Sequence, residues 1–185
     1  GQSAGGRSVA YLMTSPAAEG LFHKAISQSA QQLPLRSLTE ERFGKPSVEA
    51  NDQKFIAEKG NMTLAELRAL PADDVSLTAA DFVTGGFDSS FIDGQIILDD
   101  AIPLFAAGKQ HKVPFLIGTM AWDASFFSLN APPVAEYVKA MKQDPAKIAS
   151  LYEGYRWQCD EALSPQIMAD GWYTGAVKLL ADSAN

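Results

Sequence analysis

Cysteine is all but missing from these 185 residues. Cys159 is the only one, so no disulfide forms within the chain, and zinc or iron–sulfur sites lack their thiolates. An isolated cysteine is more often a small core residue than a reactive one. Histidine is scarce as well, limited to His23 and His111. Basic residues form no cluster, and 15 Lys and Arg against 22 Asp and Glu leave a net charge of −7. That balance argues against nucleic acid or an anionic membrane as partner, since both call for grouped Lys and Arg. The longest apolar runs fall far short of a membrane span, and no signal-peptide pattern is visible. No internal repeat or low-complexity tract is evident. What remains is a globular composition, 46% hydrophobic and 20% charged. The length suits one domain, 1–185, able to bury about 70% of its unfolded surface.

The opening Gly1-Gln2-Ser3-Ala4-Gly5-Gly6 is the stretch around which the chain is organised. A serine hydroxyl is a poor nucleophile at neutral pH, so it must be held out from the fold, near a base and beside donors for an oxyanion. Gly-x-Ser-x-Gly meets those needs, because the serine occupies a strained strand-to-helix turn and glycines on either side remove side chains that would collide. Ser3 is the candidate nucleophile, with Gly1 and Gly5 as its elbow glycines. Ala4 follows it, so its N–H would face an oxyanion at the start of a helix. Gly6 would allow a close approach of helix to sheet. An ordinary glycine-rich turn is the plain alternative for the pentapeptide alone.

The continuation Arg7-Ser-Val-Ala-Tyr-Leu-Met-Thr-Ser-Pro16 and Gly20-Leu-Phe-His-Lys-Ala-Ile-Ser-Gln-Ser29 adds specificity. This run closely resembles the serine elbow and following strand of the type-B carboxylesterases, the family of cholinesterases and bacterial para-nitrobenzyl esterases. The resemblance implies an α/β fold, here a helix-rich fragment of an α/β-hydrolase with two or three remaining strands.

Apolar spacing predicts a helix from Gly5 to Ser15 with Val9, Leu12 and Met13 on its inner stripe and Pro16 as stop. Lys24 to Ser29 reads as a buried strand. Ser29 stands at its carboxyl end, where open α/β sheets carry functional groups. In the family the matching serine supports the acidic triad member; a strand-end serine satisfying backbone is the alternative. His23 lies in a run that the family uses as a bend into the strand, and a half-exposed structural role is expected for it. His111, in Lys109-Gln-His-Lys112, reads as a solvated loop residue.

Residues 37–80 read as helical with short breaks, corresponding to the family's cap over its substrate pocket. Glu40 to Lys59 is expected as one helix with a dip at Gly44-Lys45-Pro46, Thr63-Leu-Ala-Glu66 as a capping box, and Pro71 to Val75 as a further short helix. A turn at Thr84-Gly-Gly-Phe-Asp88 and a hairpin at Ile92-Asp-Gly-Gln95 follow, then a brief helix Ala101 to Gly108. Val113-Pro-Phe-Leu-Ile-Gly118 has the continuous apolar character of a central parallel strand.

An acid that orients a triad imidazole belongs on a loop at the carboxyl end of such a strand. Asp123, in Thr119-Met-Ala-Trp-Asp-Ala-Ser-Phe-Phe127, is the only carboxylate there, with a loop or helix-capping aspartate as the alternative. The family usually has Glu-Gly where this chain has Asp123-Ala124. Helices are expected over Val134–Met141, Pro145–Tyr152 and from Ser164-Pro165 through Leu180, and Trp157, Trp172 and Tyr173 read as core or interface residues, with the lining of a pocket as the alternative.

The resemblance implies a serine carboxylesterase acting on small-molecule esters, without metal or cofactor. It also implies missing parts. The chain opens on the motif itself, and neither the family's glycine-rich oxyanion loop nor its catalytic histidine is present, so the chain as given is expected to be a cut, inactive piece. Self-association through exposed sheet edges is expected of such a piece. A non-catalytic adhesion protein of cholinesterase type is the rival reading, disfavoured by Ser3 and its glycines.

Overall fold

The computed structural model describes residues 1–76, 90–125, 133–154 and 160–184. The turn expected at Thr84–Asp88, the aromatics Phe126, Phe127 and Trp157, and Cys159 lie outside them. The described residues fall into two compact units, one of 1–14, 18–33 and 101–185, the other of 15–17 and 34–100.

The first unit is built on two parallel strands, β1 (Ala25–Gln28) and β4 (Phe115–Gly118), with Ala25 opposite Phe115 and Gln28 opposite Gly118. Gly1–Ser3 extend this ladder on the other side of β1: Gln28 N–H donates to Gly1 O and Ser3 N–H to Gln28 O, both at 2.9 Å. Helix α1 (Ala4–Thr14) starts directly after Ser3. Its buried face is Gly6, Ala10, Met13 and Thr14 together with Tyr11, not the expected Val9–Leu12–Met13 stripe, and Leu12 is 46% exposed. The reason is steric. A Cβ on Gly6 would stand 2.9 Å from Ala30 Cβ and 3.0 Å from Gln28 O, so the helix lies too close to β1 for bulky residues there.

Helix α5 (Ala101–Ala106) packs against α1, and the Phe105 ring sits 5.9 Å from that of Phe115 on β4. Gly108 closes α5 in the left-handed region, with Gly108 N–H bonded to Phe105 O and Lys109 N–H to Leu104 O, the double bond of a Schellman cap. Phe105, Met13 and Leu180 are each 1% exposed, and burial of such side chains contributes about 1.5–3 kcal/mol apiece. The far face is different. β4 alternates half-buried and exposed positions, and Leu116 (64% exposed) lies opposite Ile26 (48%). A strand covered on both faces was the expectation; among the described residues one face of the pair stays open.

Helices α6 (Val134–Ala140), α7 (Pro145–Leu151), α8 (Asp160–Ala169) and α9 (Gly175–Ser183) complete this unit, with a π-helical turn at Asp170–Thr174 between the last two. Helix therefore begins earlier than the expected Ser164-Pro165, and Pro165 sits inside α8. Asp170 holds the wider turn by accepting Tyr152 Oη at 2.8 Å and Gln166 Nε2 at 3.1 Å.

The second unit pairs two short parallel strands, β2 (Arg36–Ser37) and β3 (Phe91–Ile92), with helices α2 (Val48–Glu58), α3 (Leu64–Ala69) and α4 (Ala72–Val75). The single helix expected over 40–59 is not formed. Arg42 and Lys45 exchange N–H···O bonds around Phe43 (φ 55) and Gly44 (φ 72), a tight reversal, and α2 starts only at the Ser47 cap. Buried Arg36 donates to Pro46 O at 2.7 Å and Ser47 O at 3.0 Å. The Thr63–Glu66 capping box is present as read. The expected hairpin at 92–95 is instead a loop closed by Asp93, whose carboxylate accepts N–H groups of Gln95, Ile96 and Ile97 at 2.9–3.0 Å.

Candidate active site

Ser3 is the hinge between the ladder and α1. Its N–H is tied to Gln28, its φ is 52°, and its carbonyl accepts the Arg7 N–H at 3.0 Å, so the residue is held in the left-handed region from both sides. For a side chain with a Cβ that conformation costs about 1–3 kcal/mol. The residue is exposed, which presents its hydroxyl to solvent above the helix start.

The flanking glycines are not equivalent. A Cβ on Gly1 would meet the Gly5 carbonyl carbon and oxygen at 2.5 Å, whereas one on Gly5 meets nothing within 4 Å. The expected collision thus exists at Gly1 and at Gly6 but not at Gly5. Gly5 N–H is used locally, on Gln2 O at 2.9 Å. Ala4, the first residue of α1, has an N–H that no intrahelical carbonyl reaches, at the positive end of the helix macrodipole.

Ser29 follows β1, buried and also left-handed at φ 50°. Its N–H donates to Gly118 O at 2.8 Å, carrying the parallel register one step past the strands. Its hydroxyl stands close enough to the Asp123 carboxyl to favour the ionised form. Asp123 sits five residues beyond β4 and takes two donors on Oδ2, the Thr119 hydroxyl and the Met120 N–H, the latter at 2.8 Å. Burial pushes the Asp123 carboxyl up, but Thr119, Met120 and the Ser29 hydroxyl together outweigh it and hold the group below the ordinary aspartate value. The carboxylate is therefore ionised throughout the neutral range.

Ser3, Ala4, Ser29 and Asp123 thus gather at the carboxyl ends of the parallel strands. Ser3 is tied to the end of β1 through Gln28 O, and Ser29 N–H bonds Gly118 O, five residues before Asp123. The two histidines lie at the other end. His23 precedes β1 and is exposed; His111 precedes β4, donates its N–H to Met13 O at 2.7 Å and meets the Phe22 ring edge-on at 5.7 Å. His111 is half-buried rather than the solvated residue expected, because Phe22 packs on it. A four-residue strand separates these imidazoles from the site by about 13 Å at ~3.3 Å per residue.

Two supports escaped the sequence reading. Thr119 is one; its spacing of four from Asp123 at a strand end was an available signal. The other is Tyr173 on the π-helical turn, whose hydroxyl accepts Gln31 Nε2 at 2.7 Å. Burial, and then the Asp123 charge, raise the Tyr173 phenol, while the Gln31 bond opposes them. Ala124, fully buried, packs with Tyr173, Met168 and Ala169 and pins the acid's loop to that turn. Among the described residues no group of His, Cys, Asp and Glu is arranged to hold a metal ion, and no helix is long and apolar enough to cross a membrane.

A family model described as the carboxylesterase family matches residues 1–172. The para-nitrobenzyl esterase of Bacillus subtilis is 31% identical over 131 residues, 69% of this chain and 26% of that protein. A medium-chain fatty acyl-CoA hydrolase precursor from Anas platyrhynchos is 27% identical over 149 residues, 80% of this chain and 26% of the relative. Among solved structures, a Geobacillus stearothermophilus carboxylesterase at pH 6.2 superposes with a TM-score of 0.75 at 23% identity, covering 99% of this chain and 40% of its own. A para-nitrobenzyl esterase structure gives 0.69 at 21% identity. The chain spans about a quarter of the length of the curated relatives it matches.

Proposed function

This chain belongs to the carboxylesterase family and has the fold of part of an α/β-hydrolase, and from that premise we propose that it is the nucleophile-bearing part of an enzyme that hydrolyses carboxylic esters through an acyl-enzyme on Ser3. Ser3 Oγ attacks the ester carbonyl, and the Ala4 N–H helps hold the tetrahedral oxyanion. A histidine takes the Ser3 proton and returns it to the leaving alcohol, and Asp123 orients that imidazole and stabilises its positive charge. Water then attacks the acyl-serine by the reverse route.

The observation that carries this reading is the left-handed Ser3, exposed between the ladder and α1, with Asp123 held by Thr119 and Met120 just past β4 at the same sheet end. Neither His23 nor His111 is placed to serve as base. On this reading the histidine is supplied from outside the chain, and the chain as given is inactive.

An active-site fluorophosphonate probe with mass-spectrometric mapping tests the proposal. Labelling of Ser3 in the whole protein, absent in this chain and in the whole-protein Ser3→Ala variant, is the expected pattern. Labelling at another serine, or none in either form, overturns it; the latter is what a non-catalytic adhesion protein would give.

A further inference from the structure

The carboxylate of Asp123 takes two hydrogen bonds from its own turn, from the Thr119 hydroxyl and the Met120 N–H. The two local donors share a single oxygen. Thr119 Oγ1 and Met120 N–H both bond Oδ2, and neither is bound to Oδ1. Thr119 is itself anchored. It follows Gly118, the last residue of β4, whose carbonyl accepts the Ser29 N–H at 2.8 Å, so its backbone is held where the ladder ends.

An aspartate carboxylate turns about two side-chain bonds, and a catalytic carboxylate is useful only if one oxygen faces the imidazole steadily. Two donors on one oxygen, both issuing from the residues just past the strand, remove that freedom. The β-branched Thr119 is stiff at χ1, so its hydroxyl is a fixed donor rather than a swinging one. Building on the esterase reading, we propose that Thr119 is a positioning residue for the triad acid. With the Met120 N–H it clamps Oδ2 and leaves Oδ1 as the oxygen that meets the imidazole. The same bonds offset the burial that would otherwise favour the protonated acid.

The test has a readout in the 185-residue chain itself, independent of activity: carbon-13 titration of the Asp123 carboxyl in the unaltered chain, in Thr119→Val and in Thr119→Ser. The valine variant, close in shape but without the hydroxyl, is expected to titrate at higher pH, and the serine variant to keep the original midpoint. In the whole protein, Thr119→Val is expected to lower kcat about tenfold or more, the loss of a hydrogen bond to a charged group, with KM unchanged and activity recovered in Thr119→Ser. An unmoved midpoint in the valine variant overturns the proposal. Should that variant not fold, the serine variant decides alone, and a midpoint raised in folded Thr119→Ser overturns it equally. Failure of the esterase reading is seen separately: an unlabelled Ser3 removes the triad, whereas a labelled Ser3 beside an unmoved Asp123 removes only the clamp.

Discussion

The hydroxyl of Ser27 donates to the carbonyl of Gly6 at 3.0 Å, stitching the first turn of α1 onto β1 directly behind the elbow. The bond exists because Gly6 has no Cβ, and the helix that begins at Ala4 is thereby seated on the strand that Ser29 follows.

Gly6→Ala is expected to lower stability by about 1–3 kcal/mol through overpacking against Ala30, Gln28 and Ser27. Gly5→Ala, with nothing within 4 Å of the new Cβ, is expected to leave stability unchanged or raise it by about 0.4–1 kcal/mol. Urea unfolding of the two variants side by side checks this. Equal losses would contradict the steric asymmetry.

Ser3→Gly is expected to stabilise the chain by about 1 kcal/mol, since glycine adopts φ near 52° without the strain that serine carries, less its greater unfolded-state entropy. The same change removes the proposed nucleophile. A higher urea midpoint together with loss of probe labelling in the whole protein is the expected pair of results; a destabilised glycine variant would contradict strain at the elbow.

Acid should loosen the second unit through Asp93 and Glu66. Hydrogen bonds from the Gln95 and Ile97 backbone hold the Asp93 carboxyl below its ordinary value, burial opposes them weakly, and the Ile96 N–H adds to the lowering. Glu66 is lowered by the Thr63 backbone and then its hydroxyl. A depressed folded value means that the stabilisation is fully present above the ordinary carboxylate range near ~4 and is lost as pH falls through the folded value. Urea midpoints measured from pH ~6 downwards should therefore fall below pH ~4, less steeply in Asp93→Asn. An unchanged slope in that variant would assign the acid sensitivity to other groups.

The open face of the β1–β4 pair sets Ile26 beside Leu116, and both are about half exposed or more. Aligned apolar residues on a sheet face left open among the described residues are expected to favour contact with a second copy of the chain. Sedimentation velocity is expected to show association that grows with concentration and is reduced by Leu116→Lys. A chain that stays monomeric at high concentration would contradict this.

Residue order was sufficient for most features whose bonds are local. The Thr63–Glu66 box, the first turn of α1 after Ser3 and the glycine-closed helix before 108 rest on contacts within a few residues, so spacing and residue type were enough to read them, whereas the strand at 25–28 was legible from its residue types although its partner lies at 115–118. The tight reversal at Phe43-Gly44 was also local, yet it was missed because a bulky Phe43 at positive φ hides the turn. Packing between distant segments settled which face of α1 is buried, because Gly6 and Ala10 win that place by allowing close approach to β1, where hydrophobicity had favoured Leu12. It also brought Ser29 to Asp123, and Gln31 to Tyr173 across 142 residues of chain. It placed both histidines at the wrong end of the strands. Contacts made between distant segments depend on the register of a parallel pair, and that register is set by packing of the whole unit rather than by any one stretch of residues.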